Sequence, residues 1–262
     1  MNEESERELV NKLAVPVYED VLKPFGQEIS KGLVSVARSV NSGVFLMEEC
    51  VQATVNVLRL TGEKLALLPP KEISFSNPRV ALQALDQAKF SVNEVHIQEL
   101  FANLIASSLT EESKGVTHPA YIEIIKQLQG DEALILQFME RQEAHMKGHA
   151  PTIDLIIEDD RYAGLSTKSI ITEFNLIAED AGCMYPENSV RYFENLKRIG
   201  LINHVSGSTS FPQNLHQRIF ESSKAREVYE NGTYKGQKAS WKFGNYSVTT
   251  FGRAFSNAVI RT

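Results

Sequence analysis

The feature of this sequence that most constrains its fold is a long apolar stripe with the period of an α-helix. Apolar side chains recur between positions 29 and 58 at a mean spacing of about 3.6 residues, and on a helical wheel they cover about 100°. The stripe comprises Ile29, Leu33, Val36, Val40, Val44, Met47, Val51, Val55 and Leu58. An apolar face of this width is typical of a helix that packs against a core, so the sequence predicts an α-helix here.

The other face of this predicted helix is rich in small residues and almost uncharged. Arg38 is the only charged residue between Gly32 and Met47. Small side chains let a second backbone approach closely, and an amphipathic segment of this kind can also enter a membrane surface. Two interpretations of residues 25–60 follow, a buried core helix and a helix that contacts a membrane after a trigger. The core helix is favoured, because the polar side lacks the Lys and Arg residues of membrane-surface helices.

Further helical patterns follow this segment along the chain. They cover residues 79–90, 94–110, 119–129 and 131–147. Prolines interrupt the pattern within 67–73 and 76–78, because proline fixes φ and disfavours the helical region before it. A second interruption lies at Gly148 to Pro151. We therefore predict two domains, a helical one over residues 1–150 and a second one over residues 151–262.

The second predicted domain mixes helical and strand patterns. Helices are expected at 166–180 and 186–199, and the latter is closed by Gly200 and followed by a short apolar strand. A basic, hairpin-like insertion at 236–244 precedes a strand at 246–250 and a final helix at 251–260. This order is that of a winged helix-turn-helix. The predicted fold class is therefore mainly α, with a helical N-terminal domain followed by a winged helix-turn-helix-like α+β domain.

The composition is that of an ordinary soluble globule. Hydrophobic residues make up 42% of the chain and charged residues 23%, which excludes a wholly disordered protein. Cys50 and Cys183 are too few for a disulfide framework. The first residues are acidic, unlike a signal peptide, and no run of about 18 apolar residues follows. We therefore expect a cytoplasmic protein.

The net charge of −6 is unevenly distributed along the chain. Residues 185–262 contain 11 Lys and Arg against 5 Asp and Glu, a net charge of +6, and the remainder carries −12. A basic C-terminal part on an acidic body indicates either an anionic partner or electrostatic docking of the two parts. The sequence leaves both explanations open.

No residue pattern in the chain indicates catalysis. The glycine-rich nucleotide-binding loops, the metalloprotease motif and the nucleophile elbow of hydrolases are absent from the sequence. His145 and His149 lie four residues apart near Glu143, but Gly148 interrupts the helix that would align them. We therefore predict no catalytic residues, no metal site, no cofactor and no enzymatic activity.

The predicted helix at 186–199 is the best candidate for a binding surface. Arg191, Asn195 and Arg198 recur on one face, and Arg and Asn side chains pair with the edges of guanine and adenine. Basic residues able to contact phosphates follow in the predicted wing: Lys235, Lys238 and Lys242. Winged helices also dock proteins, and Glu187 and Glu194 would lie close to bound DNA. Nucleic acid and protein are therefore both candidate partners.

Several blocks of the sequence are similar to those of a known family. The most specific run is LFANLIASSL at 100–109, followed by HPAYIEIIKQL at 118–128 and DEALIL at 131–136. Flanking blocks are YEDVLKP at 18–24, PPKEI at 69–73, ENLKRIGLI at 194–202 and VTTFGRAF at 248–255. Together they resemble the Abi-alpha (abortive infection alpha) family over nearly the whole chain. The resemblance implies a bacterial phage-defence protein and supplies no catalytic residues.

The resemblance therefore implies a protein of antiviral defence that acts by abortive infection, and the absence of catalytic motifs predicts that it acts without catalysis. It would act through a protein target or phage trigger, or through triggered membrane contact by residues 25–60. The alternative is a nucleic-acid-binding regulator or sensor that uses residues 185–262. A second copy of the chain is a further candidate partner.

Overall fold

The computed structural model describes residues 44–74, 77–111, 115–142, 146–158, 167–207, 214–232 and 238–260. The chain divides into two packing units, one formed by Met1–Ala133 with Ala254–Thr262 and the other by Leu134–Arg253. The predicted domains 1–150 and 151–262 stay a prediction. Four residues of the predicted stripe, Ile29, Leu33, Val36 and Val40, lie outside the described residues, as does Lys235.

Helices form the first part of the described chain. They are α1 (Val44–Ala66), α2 (Pro78–Ala88), α3 (Val95–Ser108), α4 (Ala120–Ile125) and α5 (Gly130–Arg141). Proline stands at the first position of α2, where its missing N–H removes no helical hydrogen bond. The predicted helices at 79–90, 94–110, 119–129 and 131–147 are thereby confirmed, with ends that differ by a few residues.

The buried face of α1 is rotated from the predicted stripe. Leu58 is buried and Val51 half-buried, but the side chain of Val55 is 43% exposed. The buried positions of α1 include Thr54 and Thr61, whose hydroxyls donate to the carbonyl oxygens one turn earlier, at 3.0 and 2.8 Å. Because these bonds satisfy the hydroxyls locally, threonine can be buried where an apolar count of the sequence omits it. Val44 and Met47 also lie in α1.

The second unit contains a four-stranded antiparallel sheet. Its strands are β1 (His149–Glu158), β2 (Thr167–Phe174), β3 (Ile202–Ser206) and β4 (Lys238–Val248), in the spatial order β2-β1-β4-β3. The helices in this part of the chain are α6 (Ile177–Asp180), α7 (Ser189–Arg198), α8 (Asn214–Glu221), α9 (Ser223–Gly232) and α10 (Thr250–Val259). The prediction of a mainly helical chain with a C-terminal α+β part is confirmed.

Two of the predicted elements in this unit are wrong. Among the described residues of the segment expected to be a helix at 166–180, Thr167–Phe174 form strand β2 and Ile177–Asp180 are helical. Its β-branched residues pair with β1, and this tertiary pairing outweighs the helical pattern. Within the segment expected to be a hairpin at 236–244, the described residues 238–244 instead belong to the single strand β4, which pairs with β1 on one side and β3 on the other.

These differences separate the sheet from the predicted winged helix. Helices α8 and α9 lie in the connection between β3 and β4, where a wing would have a short hairpin turn. The two faces of the sheet are both covered. Phe193 of α7 stacks on Tyr246 of β4 on one face, and Ile219 of α8 packs with Ile153 of β1 on the other. The unit is therefore a mixed α+β arrangement.

In the first unit, α3 is buried on nearly its whole circumference. Two of its polar residues form hydrogen bonds with the end of α10. Asn103 Nδ2 donates to the Val259 carbonyl at 2.7 Å, and Ser107 Oγ donates to the Ala258 carbonyl at 2.8 Å. The Ala120 N–H donates to His118 Nδ1 at 3.0 Å and so caps the start of α4. The most specific block of the family resemblance therefore forms the centre of this unit.

Candidate functional site

The predicted binding residues of α7 lie on its solvent side. Arg191 and Arg198 are exposed, and Asn195 is half-buried. Two guanidinium nitrogens of Arg198 donate to Asn195 Oδ1, the shorter bond being 2.6 Å. This bond engages the amide oxygen that a base-reading asparagine would use.

The predicted lysines lie on β4 or outside the described residues. Lys242 is exposed on β4, opposite Asp154 of β1, and Lys238 is the first residue of β4. Lys235 lies outside the described residues. The structure thus brings Asn195 and Arg198 together, whereas Lys238 and Lys242 of the predicted wing lie along strand β4.

A polar network that no pattern in the sequence indicates lies between α7 and the sheet. Its centre is Glu173, whose Oε2 accepts hydrogen bonds from the Tyr246 hydroxyl and from Lys197 Nζ, the latter at 2.7 Å. His204 Nδ1 lies 3.2 Å from the other oxygen of the same carboxylate. Lys197 also contacts Glu194 at 2.8 Å. The network therefore joins β2, β3, β4 and α7 through one carboxylate.

A bulge in β2 brings Glu173 to this position. Ile153 pairs with Phe174 and Leu155 with Ile171, so that two residues of β2 face the single residue Asp154 of β1. Glu173 has a φ of +57°, which a residue with a side chain rarely adopts. The Asp154 carboxylate holds the bulge by accepting the Glu173 N–H at 2.6 Å. Bulges commonly redirect a side chain in this way.

The other oxygen of Asp154 accepts a hydrogen bond from Ser206 Oγ at 3.0 Å, which ties β1 to β3 across the sheet. No spacing in the sequence reveals these contacts, because they depend on strand pairing between distant segments. The pair Asp154 and Glu173 is therefore visible only in the folded chain.

One part of the network has the geometry of a nucleophilic relay. Thr152 Oγ1 lies 2.8 Å from His204 Nε2, and the other ring nitrogen faces Glu173. A hydroxyl, an imidazole and a carboxylate in this order activate nucleophiles in many enzymes. Here, however, Thr152 is 0% exposed, and Gly244 lies so close that a Cβ there would overlap Thr152 Oγ1 and His204 Nε2. The hydroxyl cannot reach a substrate in this arrangement.

The network shifts the pKa values of its members. Burial alone would raise the pKa of Glu173, but the hydrogen bonds from Lys197 and Tyr246 outweigh it and the pKa is lowered. Burial lowers the pKa of His204 by more than the nearby carboxylates raise it. Burial and the bond to Glu173 raise the pKa of Tyr246 far above its usual value. At neutral pH the network thus holds an ionised carboxylate, a neutral imidazole and a neutral phenol.

The outer surface of α7 and the turn before it is partly apolar. Met184 is 75% exposed, Tyr185 53% and Val190 69%. The charged residues Glu187 and Arg191 are exposed beside them. We call these five residues the α7 outer face. Exposed Met, Tyr and Arg side chains are enriched in protein interfaces.

In the first unit, α2 and α4 border a groove of about 560 Å³. Leu82, Pro119 and Ile122 line it, and the carboxylates of Asp86 and Glu123 at its sides bind Lys89 and Lys126 at 2.8 and 2.9 Å. Within the described ranges, no three His, Cys, Asp or Glu side chains form a metal-binding group. Of the helices described, none is long and apolar enough to cross a membrane.

The comparisons with known proteins give one match. The sequence profile of the family described as abortive infection alpha matches residues 51–259. No curated protein and no solved structure matches the chain significantly. The matched range contains both α3, with its bonds to α10, and the Glu173 network. Because the profile covers most of the sequence, the chain belongs to the abortive infection alpha family.

Proposed function

We propose that this protein defends bacteria against phage by abortive infection, and that it acts by binding a partner and not by catalysis. Family membership over residues 51–259 carries the biological role. The buried Thr152 hydroxyl supports the absence of catalysis, because the described relay that resembles an active site is closed to substrates. The exposed apolar residues of the α7 outer face support a binding role.

The role in abortive infection is tested by phage challenge of a bacterial host that expresses the full chain. At a low ratio of phage to cells we expect the culture to survive with a reduced yield of phage. At a high ratio we expect the infected cells to stop growing or die before phage is released. Protection with full survival of the infected cells would contradict the proposal.

The absence of catalysis is tested with Thr152→Val. This substitution removes the hydroxyl of the relay and keeps the shape of the side chain. Thr61→Val is the matched control, because Thr61 is also 0% exposed and its hydroxyl binds within its own helix. We expect both variants to protect, provided that circular dichroism shows them folded. Loss of protection in a folded Thr152→Val alone would identify the relay as catalytic.

A second candidate function is nucleic-acid binding by the exposed surface of α7. The exposed guanidinium groups of Arg191 and Arg198 favour it, and the exposed acidic residues Glu187 and Glu194 on the same helix region oppose it. Duplex DNA or RNA binding by the full chain that weakens steeply with salt would support this function. Arg191→Ala with Arg198→Ala should then abolish binding, whereas the exposed control Arg226→Ala should not.

A further inference from the structure

The α7 outer face carries charges of both signs that have no partner in the described part of the chain. Glu187 and Arg191 are four positions apart and both exposed, yet no ion pair or hydrogen bond joins either of them to a described side chain. In contrast, Glu194 and Arg198 of α7 are engaged by Lys197 and Asn195. The unpaired charges therefore flank Val190, the most exposed apolar residue of α7 itself.

From this arrangement we propose that the α7 outer face is a self-association surface, and that its occupant is a second copy of this chain. Two copies related by a two-fold axis that crosses the start of α7 at right angles, near Ser189, would lay their α7 helices antiparallel. Each residue before the axis then meets one after the axis, so Glu187 of each copy faces Arg191 of the other. In a two-fold interface the same patch must complement itself, which a surface with one charge of each sign achieves.

The apolar residues of the face would lie at the centre of this interface. Val190 lies next to the axis. Met184 and Tyr185 extend the contact into the turn that precedes α7. Burial of exposed apolar side chains supplies the main driving force for association. The opposite charges at the sides fix the antiparallel direction and exclude other registers.

The size of the surface limits the strength of association. α7 has 10 residues and is therefore about 15 Å long. Stable interfaces bury about 800 Å² on each partner, which exceeds what one short helix and its preceding turn present. We therefore expect a concentration-dependent dimer with a dissociation constant on the order of micromolar.

Charge reversal provides a sharp test with the full chain. Sedimentation velocity over about 1 to 100 µM should show a monomer–dimer equilibrium for the unchanged protein. Arg191→Glu or Glu187→Arg alone places like charges opposite each other, so each should weaken dimerisation at least about tenfold. The double variant with both substitutions restores opposite charges and should dimerise. An equimolar mixture of the two single variants should also form dimers, because each copy then supplies what the other lacks.

Two substitutions separate the apolar contact from a general effect of added charge. Val190→Asp should abolish the dimer, and the matched control Val95→Asp should not, since Val95 is 65% exposed at the start of α3. Thermal unfolding should be unchanged for both variants. A monomer at all concentrations, or a dimer insensitive to Val190→Asp, would overturn the proposal. The proposal would also be overturned if neither the mixture nor the double variant associates. Binding of nucleic acid by the monomer, in a way that requires Arg191, would overturn it as well.

Discussion

Lys197 of α7 donates a 2.7 Å hydrogen bond to Glu173, at the bulged end of β2. The two side chains are only 24% and 26% exposed, and the Tyr246 hydroxyl binds the same carboxylate oxygen. One carboxylate therefore satisfies donors from a helix and from the central strand β4. The position of α7 on the sheet depends on this carboxylate as well as on the stacking of Phe193 on Tyr246.

We expect Glu173→Gln to lower the free energy of unfolding by about 2 kcal/mol, because charged hydrogen bonds in a partly buried site are lost. Urea denaturation followed by circular dichroism measures the change. The exposed pair Arg59–Glu63 gives the control, since Glu63→Gln should cost about 0 to 0.5 kcal/mol. Equal effects of the two substitutions would show that the network contributes no more than a surface ion pair.

The same network predicts that acid destabilises the protein. The pKa values of His204 and Glu173 are both lowered in the folded state, so folding favours their deprotonated forms. The stabilisation is present above the unfolded values of about 6.5 and 4.3 and is lost as the pH falls through the lower folded values. We expect the melting temperature to fall first as the pH drops below about 6.5, through histidine, and then further below about 4.3, through Glu173.

The histidine contribution can be isolated with His204→Gln. The melting temperature of this variant should fall less on the first acidic step than that of the unchanged protein. The fall that remains comes from His149, whose pKa is also lowered by burial and by the charge of Arg253. The measurement is the melting temperature at a series of pH values for both proteins. Identical slopes for variant and unchanged protein would show that His204 does not titrate with folding.

The helices of the first unit were predictable from the sequence because their signals are local. Proline at the start of α2 and the apolar spacing of α3 and α5 each act within a few residues. The exposure of Val55 was not predictable, because an apolar count cannot show that Thr54 and Thr61 satisfy their hydroxyls inside the helix and occupy the core. Burial is decided by what packs against the helix.

The sheet and the polar network were not predictable for a different reason. The sequence of β2 has a helical pattern, and its pairing with β1 is what makes it a strand. Glu173 points at Lys197 only because the bulge adds one residue opposite Asp154. Both features depend on contacts between segments far apart in the chain. The exposure of Arg191 and Arg198 followed from helical spacing alone, whereas the bond between Arg198 and Asn195 did not.

Gly252 should be intolerant of any side chain. It lies in the first turn of α10, where a Cβ would overlap the carbonyl oxygen of Leu201, a backbone atom that cannot move aside. We expect Gly252→Ala to cost about 3 kcal/mol, the upper end for overpacking. In the control Gly182→Ala no atom lies within 4 Å of the new Cβ, so only the positive φ costs about 1 kcal/mol. Equal melting temperatures for the two variants would contradict the steric explanation.

Asn103 should contribute more to stability than Ser108, which lies five positions later in the same helix. Its Nδ2 donates to the Val259 carbonyl at 2.7 Å, so Asn103→Ala leaves that buried acceptor without its partner and should cost about 2 to 3 kcal/mol. Ser108 is also buried, but its hydroxyl binds the Ile105 carbonyl within α3, so Ser108→Ala should cost about 0.5 kcal/mol. Urea denaturation of both variants measures the difference. A larger loss of unfolding free energy for Ser108→Ala than for Asn103→Ala would show that the bond from α3 to α10 does not hold these segments together.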